Sequence, residues 1–519
     1  MGKFRKCFKT VVPLSALVMV LVFGLTLIDA RAEIKELKIG IGIDADNFNP
    51  REQTTSLVMN ICELVYDTLF HKTADGKLEP RLVTGYDVSQ DGLTYTLHVR
   101  KGVTFSDGTP LDGKALKENF DQVLNPEVRV PQRFVVSMIK TVKLVDDYTI
   151  SLELKYPFAP FADRLALITV SPVSPAAMKK YGQDVRKNPV GAGPYIFKEW
   201  VKSDRIVLVR NEKYYGRRPT VERLVYKIVP EGTTREAMLR TGQLDIIYDP
   251  MPSNVAGLQA DPNLTVEMPL KTKTIFMGMN FKKGVTTNKL VRQAFNYAVD
   301  KKAIVKKILF DTAVPMEGPM SPLVFGFHKM DKQYDYNPEK AKALLKEANF
   351  DFSKTVQMRT PNGRYLFDRQ ISEAIQAYLQ AIGVKVELRS YDWPTYVAGL
   401  LKPIDKSELE LFLLGWRSSD MDADIHLWGQ FHSSSAPPKG LGAAHYDSPD
   451  FDKAIEATRL EQDPAKRLAL FKKASEIVWD DAPWIWLHVE KFLIVHRTNI
   501  KGLELLSTEM FYPTYATMD

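Results

Sequence analysis

Cysteine is almost missing from this chain: Cys7 and Cys62 are the two in 519 residues. Cys7 precedes the apolar run near the N-terminus, so a processed product would keep Cys62 alone and could form no intrachain disulfide. Dense blocks of lysine and arginine are missing as well, which argues against nucleic acid as a partner. After residue 28 no apolar run is long enough to span a bilayer, and the processed product is expected to be soluble. Histidine is scarce. Of eight, only His426 and His432 fall close together, and their spacing of six is off the i, i+4 face of a zinc-binding helix. Neither a G-x-S-x-G nucleophile elbow nor an H-E-x-x-H zinc helix occurs. These absences weigh against an enzyme, and no cofactor or metal is expected. Internal repeats and low-complexity tracts are also missing.

What is present begins at the N-terminus. Lys3, Arg5, Lys6 and Lys9 precede an apolar run from Val11 to Ile28, and Ala30-Arg31-Ala32 has the A-x-A spacing. The pattern predicts a secretory signal over residues 1–32, cleaved after Ala32, with an uncleaved membrane anchor as the alternative. No cysteine follows the run at a lipid-attachment position. Removing Lys3, Arg5, Lys6, Lys9 and Arg31 against Asp29 lowers the formal charge from +7 to about +3. A chain of this length is too long for one core and predicts two or three packed units.

The stretch from Leu409 to Trp428 carries the densest chemistry. Leu411 to Leu414 is a short continuous apolar run, as in a strand covered on both faces. Gly415 breaks it, and Trp416, Arg417, Ser418, Ser419, Asp420, Asp422 and Asp424 follow. In open α/β sheets ligands sit beyond the carboxyl ends of strands, so the loop is predicted to line a cleft. The bland alternative is a core tryptophan with a solvated, helix-capping turn. The Asp420-x-Asp422-x-Asp424 spacing imitates the start of an EF-hand. Ile425 stands where its glycine belongs and Phe431 where its glutamate belongs, which argues against calcium.

A second imitation lies at Gly108 to Ala115, which has P-loop spacing. Ala115 offers no hydroxyl and Pro110 removes a backbone donor. A turn at Asp107-Gly108 followed by a helix bearing Leu116, Phe120, Val123 and Leu124 fits better. Elsewhere, alternating residues predict strands at Leu37–Ile43 and Leu93–Val99. Leu57–Leu69 has helical spacing. Asn337-Pro338-Glu339 marks a helix start, with a cap and then proline at the first turn. A strand at Val356–Thr360, a helix at Asp368–Ala381 and a strand at Val384–Leu388 argue for a second α/β unit closed by Leu411–Leu414.

In their order, several stretches resemble the family 5 solute-binding proteins of bacterial ABC importers. They are NPVGAGPY (188–195), RNEKYYGRRP (210–219), VRQAFNYAVDKKAIV (291–305), YNPEKAKALLKEA (336–348), GWRSSDMDADIHLW (415–428) and DPAKRLALFKKASEIVWDDAPWIWL (463–487). The last looks most like the glutathione-binding branch. The resemblance implies an α/β, two-lobed periplasmic-binding-protein fold (type II, class C-like) with hinge strands. It places the first lobe at 33–268 with a subdomain inserted at about 51–187, the second at 269–484, and a return to the first at 485–519. It further implies a periplasmic monomer that encloses a dipeptide, oligopeptide or glutathione-like ligand and delivers it to ABC permease subunits. In peptide-binding relatives an acid three positions after the matching Trp416 meets the ligand's amino terminus; here Ser419 stands there, with Asp420 next and Asp422 near. An arginine before a second-lobe helix meets the ligand carboxylate in some relatives, and Arg364 is the nearest match, with Arg359 second. The expected ligand-binding set is thus Arg364, Trp416, Arg417, Ser419, Asp420 and Asp422. A binder of a metal chelate or haem is the alternative, and a periplasmic chaperone a third.

Overall fold

The structure, a computed structural model, describes residues 34–519; the signal sequence expected over 1–32 lies outside them. Two sheets divide the chain. The first has seven strands, and its central strand Leu37–Ile41 runs parallel to both Arg223–Ile228 and Ile246–Tyr248. The second has six strands, with Leu411–Arg417 between Leu270–Met279 and Thr355–Pro361. Each sheet has its own apolar core. One gathers Leu37, Ile61, Tyr226 and Phe511, the other Phe276, Leu413, Phe431 and Trp484. Two cores joined by few crossings are what a chain of this size adopts once a single core stops growing.

Two crossings come as a pair. Leu264–Glu267 and Ile494–Arg497 lie antiparallel in the first sheet, and their continuations Leu270–Met279 and Trp484–Lys491 lie antiparallel in the second. Phe492 N–H donates to the Pro269 carbonyl at 2.8 Å between them. The chain therefore returns to the first lobe after Lys491, later than the expected 485, because every residue of Trp484–Val489 is buried in the second sheet. A third core belongs to the inserted subdomain, whose four-stranded sheet spans Val83–Val88, Thr94–Val99, Ile139–Asp146 and Thr149–Leu154. The helix Ser56–Tyr66 packs in the first-lobe core, so the insertion begins after it rather than near 51.

Local chemistry explains the starts of the elements. Asn337, Asp463 and Ser448 each precede a proline at the first turn, and the Asn337 and Asp463 side chains accept from the backbone three residues on at 2.9 Å. The stretch with P-loop spacing is a turn and a helix, Gly113–Leu124, capped by Asp112, which accepts from Ala115 N–H at 2.8 Å. Leu116, Phe120 and Val123 are buried beneath it.

Gly191 and Gly193 have a positional role. A Cβ on Gly191 would fall 2.3 Å from the Val65 carbonyl oxygen, and one on Gly193 2.5 Å from that of Leu64. The NPVGAGPY segment thus lies directly on the C-terminal turn of the helix Ser56–Tyr66, with Gly193 N–H donating to Val65 at 2.9 Å. Gly191→Ala must move backbone rather than a side chain. It is expected to cost at least the roughly 1–3 kcal/mol of an overpacked core, read as a lower urea midpoint at unchanged slope.

Candidate functional site

The strand Leu411–Arg417 is buried over its first four residues and opens over its last three, toward the space between the lobes. There a narrow cavity of about 40 Å³ is lined from both sides. The helix Ser56–Tyr66 brings Met59 and Glu63, the short strand Phe70–Lys72 brings His71 and Lys72, and the C-terminal segment brings Met510 and Tyr512. From the second lobe come Arg417, Ser419 and Asp420.

Arg417 reaches across the gap. Its guanidinium donates to Ser56 Oγ at 2.8 Å and to the Thr508 carbonyl at 3.1 Å, and lies 3.4 Å from Glu509. Lys72 pairs with Asp163. His71 Nε2 stands 3.2 Å from Glu504, which this contact holds below the usual carboxylate range. Glu63 accepts a hydrogen bond from the Tyr512 hydroxyl. Met59, Leu167 and Leu506 supply apolar wall between these groups. The lining therefore offers positive, negative and aliphatic surface at once.

The three spaced aspartates have another role. Asp422 caps the helix Ala423–Phe431 through the Asp424 N–H at 2.9 Å, and both its oxygens meet Arg467, at 2.5 and 2.8 Å. Asp424 is fully buried and shared by Arg459, at 2.5 and 3.1 Å, and Arg164, at 2.8 Å. Arg164 also lies 3.0 Å from Asp420, whose side chain is 0% exposed. Because Arg164 aligns its hydrogen bond on Asp424, Asp420 feels it mainly as a charge. Burial raises the Asp420 carboxyl to about 7, with Arg164 opposing and Asp422 and Asp163 adding to the rise.

Arg164 comes from the inserted subdomain, so its pairs with Asp420 and Asp424 cross between lobes. Ala159 N–H donates to the Arg459 carbonyl at 2.9 Å on the same seam, and Ile425 packs into the subdomain core. This is a closed arrangement. On the Asp424 side of Arg164 a second cleft, of about 450 Å³, opens among Tyr156, Phe158, Trp416 and Trp428.

The expected set thus divides. Arg417 and Ser419 line the cavity. Asp420 borders it, but its carboxylate is turned into Arg164. Asp422 lies outside it, held by Arg467. Trp416 faces the second cleft, its indole N–H bonded to the Ile425 carbonyl at 3.1 Å. Arg364 is exposed near the end of Thr355–Pro361, stacked 4.6 Å over Trp393, and Arg359 is paired with Glu408 at 2.8 Å; neither lines the cavity. Glu63, His71, Lys72, Arg164 and Tyr512 were not anticipated. One signal was there for Glu63: it is the single charged residue in Ser56–Tyr66, SLVMNICELVY. No cluster of three metal-ligating side chains occurs among the described residues.

Two α/β lobes closed over a cavity of mixed polarity, and joined by paired strands, define a protein that captures a small solute by hinged closure. The chain belongs to the bacterial extracellular solute-binding proteins, family 5, whose middle region matches residues 77–438. It is 31% identical over 483 residues to the glutathione-binding protein of Pectobacterium atrosepticum, covering 92% of this chain and 93% of that one. Against the glutathione-binding protein of Salmonella paratyphi A the figures are 30% over 477 residues, 91% and 92%. Among solved structures it resembles the periplasmic binding protein DppA of Helicobacter pylori in complex with the peptide STSA, with a TM-score of 0.81 and 28% identity over 94% of this chain and 99% of that one. Among the described residues no helix is long and apolar enough to cross a membrane.

Proposed function

We propose that this protein captures small peptides, of the glutathione or short-oligopeptide kind, in the cavity between its lobes. It hands them unaltered to the permease of an ABC importer, as a periplasmic monomer. The observation that carries this reading is the lining of the cavity. In this closed arrangement the cavity holds about 40 Å³, far below the roughly 300–1,000 Å³ of small-molecule sites, so a peptide enters as the lobes part. The lining sets Lys72 and Arg417 near Glu63, the two signs a zwitterionic peptide needs. The glutathione-binding relatives and the peptide-bound DppA structure support the same class of ligand.

Calorimetry with glutathione and with the tetrapeptide Ser-Thr-Ser-Ala tests the reading directly. At least one should bind, and unfolding should shift upward with it by about 2.7 kcal/mol at a hundredfold excess over Kd. Recovery of the peptide intact after long incubation is expected. Failure of both peptides to bind, or their steady consumption by pure protein, would overturn the proposal.

A further inference from the structure

Three carboxylates border the cavity, and two of them already have a cation. Asp163 pairs with Lys72, and Asp420 is covered and faced by Arg164. Glu63 differs. Its chain neighbours Cys62 and Leu64 are buried in the first-lobe core, yet Glu63 keeps part of its own surface open, onto the cavity. Of the cationic groups around it, His71 is turned to Glu504 and Arg417 to Glu509, and among the described residues none stands at ion-pair distance. Among the described residues the Tyr512 hydroxyl is the one hydrogen-bond partner of its carboxylate and fixes its direction.

A carboxylate carried this deep without a cation is costly, and it must find a positive charge or take a proton. We propose that Glu63, oriented by Tyr512, receives the ammonium group of the bound peptide, from the first lobe, at the task expected of an acid where Ser419 stands. The inference rests on the peptide-capture reading above. Asp420 is a poorer acceptor, because its side chain has no surface open to the cavity. Without ligand, burial lifts the Glu63 carboxyl to about 7; Tyr512, His71 and Arg417 oppose the rise and Asp67 adds to it. Asp67 itself is held by the hydroxyls of Tyr214 and Tyr215, at 2.8 and 2.7 Å. An arriving ammonium would therefore displace a proton below neutral pH.

The test compares glutathione and Ser-Thr-Ser-Ala with their N-acetylated forms on the parent, Glu63→Gln and Tyr512→Phe proteins. The parent should prefer the free amine by about thirtyfold or more, the lower end for a desolvated charge pair. Glu63→Gln should bind both forms nearly alike. If the parent binds both forms alike, or Glu63→Gln keeps the parent's preference, the amine lies elsewhere and the inference falls while peptide capture stands. A parent that binds no form at all sinks the capture reading and the inference with it.

A second readout needs no substitution. Between pH 5.5 and 7.5 the parent's preference for the free amine should grow with pH, through a midpoint near 7. The acetylated form cancels the contributions of closure, Asp420's included. Tyr512→Phe removes a donor that favours the ionised carboxylate, so its midpoint should move to higher pH. A preference that is flat with pH in the parent would overturn the assignment.

Discussion

Replacing Arg164 with methionine is expected to weaken peptide binding by thirty- to several-thousand-fold while leaving each lobe folded. The guanidinium is 3% exposed and is the charged tie between the subdomain and the second lobe, at 2.8 Å to Asp424 and 3.0 Å to Asp420. In the closed form its loss leaves Asp420 buried without a cation, whereas Asp424 keeps Arg459. Stranding one member of a desolvated pair costs about 2–5 kcal/mol, and that cost is converted at 1.4 kcal/mol per tenfold in Kd. In an opened form water solvates the same groups, so the penalty falls on closure rather than on folding. Adding Asp420→Asn to Arg164→Met removes the stranded charge and should return part of the affinity. Arg364→Ala, exposed and away from the cavity, should stay within about 0.5 kcal/mol of the parent. Calorimetry on all four proteins decides the matter. Parent-like binding by Arg164→Met would show that the Arg164 ion pairs contribute nothing to closure.

Replacing Arg467 with methionine is expected to act on folding instead, by about 3–5 kcal/mol. The residue lies wholly within the second lobe. Its two terminal nitrogens meet both oxygens of Asp422, its Nε donates to the Thr458 carbonyl at 2.9 Å, and its plane stacks 4.7 Å over Phe471. Methionine fills much of the space but leaves the Asp422 carboxylate, 3% exposed, without its cation. The other single variant, Asp422→Asn, keeps an oxygen for the helix cap but strands Arg467. The double variant removes both charges and should be less destabilised than the sum of the singles by about 0.5–3 kcal/mol, the range for residues in contact. Urea unfolding measures all three. Strict additivity would mean that the pair is not coupled and that the helix cap alone accounts for Asp422.

Much of the frame was legible from local pattern. The buried run Leu411–Leu414 is a central strand, and the helix starts at Asn337 and Asp463 are where cap-then-proline spacing puts them. Gly108 to Ala115 proved to be the turn and helix that its lost donor and missing hydroxyl indicated. The loop after Trp416 does reach the space between the lobes, through Arg417 and Ser419. Its aspartates were harder. Spacing alone makes Asp420, Asp422 and Asp424 available to any cation, and the arginines that claim them are distant in the chain: Arg164 lies 260 residues from Asp424, Arg467 45 from Asp422 and Arg459 35 from Asp424.

What the sequence determined by itself is therefore whatever depends on neighbours within a turn or a strand. That covers alternation, caps, breakers and the order of motifs that marks the family. The tertiary structure alone decided which charges face the cavity. A carboxylate's role depends on whether a cation has been folded against it, and that is a property of packing, not of spacing. Asp422 and Asp424 looked free and are neutralised by Arg467, Arg459 and Arg164. Glu63 is the single charge on its helix, and folding left it open to the cavity, its carboxylate bonded among the described residues to the Tyr512 hydroxyl alone.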